Sequence, residues 1–286
     1  MSDNTELLYQ KISPCTLCPN NCGVKRDKSE TGICKLDDKL HIASIHLHFG
    51  EEPELVGRGG SGTFFFSGCN LKCTYCQNFD ISWHLSGEII SVRSLADAMI
   101  ILQTKGAENI NLVTPTPQVP MIFDAIRIAR KKGLRLPIVY NCGGYESQEV
   151  LDLLDGYVDI YMPDFKYGSS EAGKKYSQIR NYFLVAKNAV KKMHRQVGDL
   201  KVNQNGAAVK GLLIRHLVLP AFIADSELIL DFIASDISLN TYVNIMDQYR
   251  PCYRAYEYHE LKQHSVRSEY EEVRRYAKEL GLHRGF

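Results

Sequence analysis

The stretch TFFFSGCNLKCTYCQN (63–78) carries most of the meaning of this chain. It begins as a short apolar run, TFFFS (63–67), with the length and composition of a buried strand. It then turns at Gly68 into a loop holding Cys69, Cys73 and Cys76 in the spacing C-x3-C-x2-C. Thiolates suit iron–sulfur clusters, and four cysteines are their usual complement. Three thiolates hold three corners of a cubane cluster and leave the fourth iron open to a small molecule, as an open coordination position does in catalytic metal sites. Gly68 lets the backbone approach such a group closely.

Five further runs read as buried strands: NINLV (109–113), LPIVY (136–140), VDIYM (158–162), LLIRHLVL (212–219) and YVNIM (242–246). Amphipathic helical stretches are expected at 91–106, 121–133, 147–156, 226–235 and 265–281. In the first, Leu95, Ala98, Met99 and Leu102 share a face and Ser91 or Ser94 is the N-cap. Strands alternating with helices imply a parallel sheet, apolar on both faces. The segments beyond the strands are chemically loaded every time: the cysteines, then TPTP (114–117), NCGGY (141–145), PDFKY (163–167), PAF (220–222) and DQYRP (247–251). Loops at one mouth of a barrel build its site. The expected fold is therefore α/β, a partial (β/α)6 barrel of the TIM type, over 63–286 with a C-terminal helix. Residues 1–62 form a Cys-rich extension packed on it.

GCNLKCTYCQN matches the C-x3-C-x-aromatic-C signature of the radical S-adenosylmethionine (SAM) superfamily, with Tyr75 as the aromatic. The resemblance covers roughly residues 60–260. More narrowly, VYNCGGY (139–145), IYMPDFKY (160–167) and RHLVLP (215–220) are similar to motifs of pyruvate formate-lyase activating enzyme and its uncharacterised homologues. The resemblance implies a 4Fe-4S cluster on Cys69, Cys73 and Cys76. It also implies a SAM site with Asn141, Met162, Asp164 and Lys166 around it, Asn141 standing where an acid is frequent. Lys166 is either a site group or the ion-pair partner of Asp164. The superfamily usually follows its second strand with Gly-Gly-Glu, which binds the SAM amino group. Here Thr114 and Thr116 stand in that loop, whose carbonyls and hydroxyls can accept those hydrogen bonds. The chemistry implied is reductive cleavage of SAM to methionine and a 5′-deoxyadenosyl radical, which abstracts hydrogen from a substrate. A glycine of a partner enzyme is one such substrate. The alternatives are another peptide, an RNA or a small molecule, or a non-catalytic metal protein. The implied partners are an electron donor such as flavodoxin or ferredoxin and a protein or peptide substrate.

A second group, CTLCPNNCGVKRDKSETGIC, supplies Cys15, Cys18, Cys22 and Cys34. Four thiolates in so short a segment point to a closed site for structural zinc or for a second iron–sulfur cluster. Its spacing does not match the bacterial ferredoxin run. His41, His46 and His48 alternate as in a strand and are expected on its surface or in the core. Cys142 and Cys252 stand alone, as small buried hydrophobes or as groups near a substrate. DQYRPCYRAYEYHE (247–260) reads either as a pocket or partner-binding segment or as ordinary packing. HFGEEPELVGRGGSG (48–62) lacks the lysine and helix of a nucleotide-binding loop.

With 286 residues, 44% of them hydrophobic, the chain has ample material for a core. The 34 basic and 33 acidic residues give a net charge of +1, so charge does not indicate nucleic acid. No apolar run is long enough for a membrane span, and MSDNTELLYQKISPC lacks the pattern of a signal peptide. A cytoplasmic location is expected, where cysteines serve as ligands or core residues rather than disulfides.

Overall fold

The computed structural model describes residues 4–264 and 267–286. Among these, nine strands form one sheet. In chain order they are β1 (Leu40–His48), β2 (Ser61–Phe66), β3 (Glu88–Ile90), β4 (Ile110–Val113), β5 (Ile138–Cys142), β6 (Ile160–Pro163), β7 (Lys201–Val202), β8 (Ala208–Leu217) and β9 (Tyr242–Met246). The six expected strands are β2, β4, β5, β6, β8 and β9, and each pairs parallel with the next. β1 pairs antiparallel with β2, and β3 with β1, so the N-terminal segment extends the same sheet. Among the described strands β9 pairs only with β8, its Tyr242 also bridging to Arg284, and the sheet is a partial barrel rather than a closed one.

Helices cover the outer face. Val92–Thr104 buries Leu95, Ala96, Met99 and Leu102, and the Ser91 hydroxyl caps it by accepting from Ser94 N at 3.0 Å. Val119–Lys131 and Gln148–Leu153 follow β4 and β5, the second capped by Ser147. Ser226–Phe232 continues into a π-turn over Ile233–Ile237. The last helix is Arg267–Glu279; the first two residues expected in it, 265 and 266, lie outside the described residues. The structure adds Asn4–Gln10, Ser170–Ser177 and a long helix, Tyr182–Val197, which buries Ala186, Ala189, Val190, Met193 and Val197 against the barrel.

The β1–β2 connection spans the open side. Asn244 of β9 donates to Glu52 Oε1 at 2.9 Å, and Tyr242 OH to Glu54 Oε2 at 2.7 Å. Between them Leu55, fully buried, packs with Val139, Ile160, Met162 and Leu213 inside the barrel. Residues on the other face of the same strands join the main core under the helices. Alternation along each strand thus feeds two apolar layers, which is why these strands read as continuous apolar runs.

Candidate active site

The register of the parallel strands sets the site. Val113 pairs with Asn141, Asn141 with Met162, and Asp164 bridges to Arg215. The strand ends thereby meet around a cavity of about 400 Å³, within the usual range for small-molecule sites. Cys69, Cys73 and Cys76 line it together with Thr114, Asn141, Asp164, Lys166 and Arg215.

The cysteine loop is held from several sides. Asn70 Nδ2 donates to Tyr145 O at 2.7 Å, and Lys72 N to Ser177 O at 3.1 Å. Lys72 Nζ donates to Ser82 O at 3.0 Å and sits over the Trp83 ring. Donors are also aimed at sulfur. Leu71 N donates to Cys69 Sγ at 3.4 Å, while Ser82 Oγ, whose hydrogen goes to Asn78 O at 2.9 Å, lies 3.1 Å from Cys76 Sγ. The second donor is the end of a hydroxyl relay: Tyr75 OH donates to Tyr167 OH at 2.8 Å, Tyr167 OH lies 2.7 Å from Ser177 Oγ, and Ser177 Oγ donates to Cys73 Sγ at 3.0 Å. Burial raises all three thiols, Cys69 to about 12, and a bound metal group would favour their thiolate form. Among the described residues no three His, Cys, Asp or Glu side chains converge on a single-ion point. A cubane cluster binds each cysteine at its own corner and makes no such demand. Three thiols lining one cavity, with donors directed at the sulfurs of Cys69 and Cys73, fit that group.

The same cavity is lined by a partly buried ionic cluster. Asp164 accepts from Lys166 Nζ at 2.7 Å and from Arg215 Nε at 2.8 Å. Arg215 also donates to Asn141 Oδ1 at 2.8 Å and lies 3.4 Å from Glu51 Oε2. Burial pushes the Asp164 carboxyl up, but Arg215 and Lys166 outweigh it and hold it at about 2. Burial likewise lowers Lys166, and Asp164 more than restores it. Burial raises Glu51 despite Arg215. Lys166 is thus both on the cavity wall and the ion-pair partner of Asp164.

Thr114 lines the cavity with φ at +60°, a region costly for a β-branched residue and more so before proline. Its N–H donates to Asn141 O at 2.8 Å. Thr116 is fully buried away from the cavity, donating to Glu146 Oε1 at 2.8 Å. Met162 is fully buried in the barrel interior against Leu55. Tyr75 and Cys142 line the cavity; Cys252 donates to Tyr75 O at 3.1 Å. The 247–260 segment divides. Tyr249 lines the cavity, whereas Tyr253 stacks on Phe79 with centroids 4.9 Å apart and Arg254 pairs with Glu257. His46 stacks on Phe65 at 5.4 Å.

The sequence reading did not single out Arg215 or Glu51. The signal for Arg215 was present, since a lone arginine in an apolar strand needs a buried partner. Glu51 had none, because Glu-Glu-Pro reads as a surface turn. Cys15, Cys18, Cys22 and Cys34 line a second, smaller cavity in the N-terminal segment.

The chain is 34% identical to the uncharacterized protein MJ0674 of Methanocaldococcus jannaschii over 97% of this chain and 78% of the other. It is 24% identical to MJ0808 of the same organism over 59% of this chain and 55% of the other. Among solved structures, native anSMEcpe with bound AdoMet aligns with a TM-score of 0.45 at 13% identity, over 64% of this chain and 50% of that one. Streptococcus suis SuiB bound to precursor peptide SuiA aligns at 0.49 and 12%, over 76% and 46%. The chain spans about half the length of these two structures, and likenesses of this strength carry no inference about activity. A family model described as the radical SAM superfamily matches residues 63–211, the stretch from β2 into β8 that contains the cysteine loop. With that match over more than half of its length, the chain belongs to the radical SAM superfamily, whose enzymes use a 4Fe-4S cluster and SAM.

Proposed function

We propose that Cys69, Cys73 and Cys76 hold the 4Fe-4S cluster, that SAM binds in the cavity beside them, and that a substrate entering the same cavity loses a hydrogen atom. The observation that carries this is the meeting of three thiols with the Asn141–Asp164–Lys166–Arg215 cluster in one cavity. Such a cluster, when bound and reduced by one electron, supplies the cleavage of SAM to methionine and a 5′-deoxyadenosyl radical.

The residues of this chain do the placing. Lys166 and Arg215, fixed by Asp164, are cations on the wall that fit a carboxylate. Asn141 offers an amide whose oxygen is held by Arg215. The strained backbone of Thr114 and the acid of Glu51 are the acceptors available to an amino group in place of Gly-Gly-Glu. Donors to the cysteine sulfurs favour the electron-rich cluster and tune its potential. Tyr75 and Tyr249 pack edge-to-face at 5.9 Å and narrow access of water from their side.

The finer reading takes the substrate to be a glycine of a partner enzyme, with flavodoxin or ferredoxin as the reductant. It is supported by the similarity of 139–145 and 160–167 to activating-enzyme motifs. The cavity also reaches His48, Met246 and Gln248, the side from which such a substrate would approach.

The test is anaerobic incubation of cluster-loaded protein with dithionite and SAM, quantifying 5′-deoxyadenosine. Formation by the wild type and loss in Cys73→Ala is the expected result. No product from a fully loaded, reducible protein, with or without candidate partner proteins, counts against the reading. A glycyl-radical signal in a co-incubated partner is the result expected for the finer one.

A further inference from the structure

A second set of thiols lies outside the reaction just proposed. Cys15, Cys18, Cys22 and Cys34 surround one small cavity. The backbone is folded to bring them there. Cys15 N donates to Val24 O at 2.9 Å and Gly23 N to Cys15 O at 3.1 Å, closing the loop that carries Cys18 and Cys22. The strand of chain leading to Cys34 approaches so closely that a Cβ at Gly32 would lie 2.7 Å from Cys22 Sγ. All four are free thiols.

Arg26 lines the same cavity, and its side chain is only 1% exposed. Its guanidinium donates to backbone carbonyls alone: Asp37 O at 2.8 and 2.5 Å, and Pro117 O at 2.6 Å. Among the described residues no carboxylate pairs with it within 4.0 Å. A buried cation without a counter-charge is strongly unfavourable. Among the described residues no three His, Cys, Asp or Glu side chains meet at a single-ion point, so the group these four suit is a cluster: four thiolates around a 4Fe-4S cluster carry a net charge of about −2 and supply that counter-charge.

The position of this lobe is the third observation. A Cβ at Gly68 would lie 3.0 Å from Cys34 O, so the lobe packs against the residue before Cys69. Asn20 Nδ2 donates to Asn70 O at 2.7 Å, inside the cysteine loop. The Arg26 bond to Pro117 O ties the TPTP loop to the same lobe.

We propose that Cys15, Cys18, Cys22 and Cys34 hold a second 4Fe-4S cluster, coordinated by four thiolates and neutralised in part by Arg26, that braces the two loops lining the SAM cavity. The proposal stands whether or not the cavity itself binds SAM.

The test uses the full chain purified without oxygen, with iron, zinc and acid-labile sulfide measured per chain. Wild type is compared with Cys69→Ala/Cys73→Ala/Cys76→Ala and with Cys18→Ser/Cys34→Ser. The wild type is expected to carry about eight iron and eight sulfide, and the triple variant to retain about four of each. The double variant is expected to lose that second complement and keep the other. A wild type with a single cluster's iron, with or without zinc and whatever the stability of the variants, overturns it.

Discussion

Arg215 illustrates how much of the site depends on one side chain. It satisfies Asp164, Asn141 and Glu51 together, from near the C-terminal end of β8. Arg215→Met removes the larger part of what holds the Asp164 charge in place. The expected cost is about 3–5 kcal/mol of folding stability by denaturant titration, with SAM affinity weakened at least about tenfold. A stability loss under 1 kcal/mol, or unchanged SAM affinity, contradicts the role given to this cluster. Ser177 acts more gently. Ser177→Ala deletes the hydroxyl that donates to Cys73 Sγ, worth about 1 kcal/mol. For one electron that is a shift on the order of 40 mV to more negative potential, measured by redox titration of the loaded protein. At this scale the cysteines, Asn141, Asp164 and Lys166 were legible because polar and thiol groups at strand ends have no packing reason to be there. Glu51 was not, since its burial comes from a connection crossing the barrel, a tertiary fact with no local signature. Thr116 shows the converse: a hydroxyl in the right loop turns inward because Glu146 is there to accept it.

Among the elements, the connection from β1 to β2 is the least expected. It reaches across the open side to β9 and places Leu55 inside the barrel. Leu55→Ala is expected to cost about 2–5 kcal/mol, as for other fully buried leucines, read as a fall in unfolding midpoint. A loss under 1 kcal/mol would mean the connection is not part of the core. The six parallel strands could be read from the chain because both of their faces are buried and their apolar runs are continuous. β3 and β7, of three and two residues, are too short to show a period. Tyr182–Val197 has its apolar residues at 186, 189, 190, 193 and 197, a helical spacing. Three lysines, an arginine and a histidine among its sixteen residues interrupt that pattern and mask it in the sequence.

The whole molecule also carries a pH dependence from one buried group. His216 is fully buried between Phe165 O and Ser226 Oγ, and burial lowers its pKa to about 4. The unfolded chain takes up a proton near pH 6.5 and the folded chain does not until about 4. The stability tied to neutral His216 is therefore present above 6.5 and lost as pH falls toward 4, by about 3 kcal/mol in all. His216→Gln is expected to flatten that part of the wild-type profile; an unchanged slope between pH 6.5 and 4.5 would refute it.

The central claim is that three cysteines leave one iron open and that SAM occupies it from this cavity. Electron paramagnetic resonance of the anaerobically loaded, dithionite-reduced protein, recorded with and without SAM, tests it most directly. The account predicts a spectrum of the Cys69–Cys73–Cys76 cluster that changes on adding SAM and is absent from Cys73→Ala. A reduced cluster on these cysteines whose spectrum is indifferent to saturating SAM would contradict it.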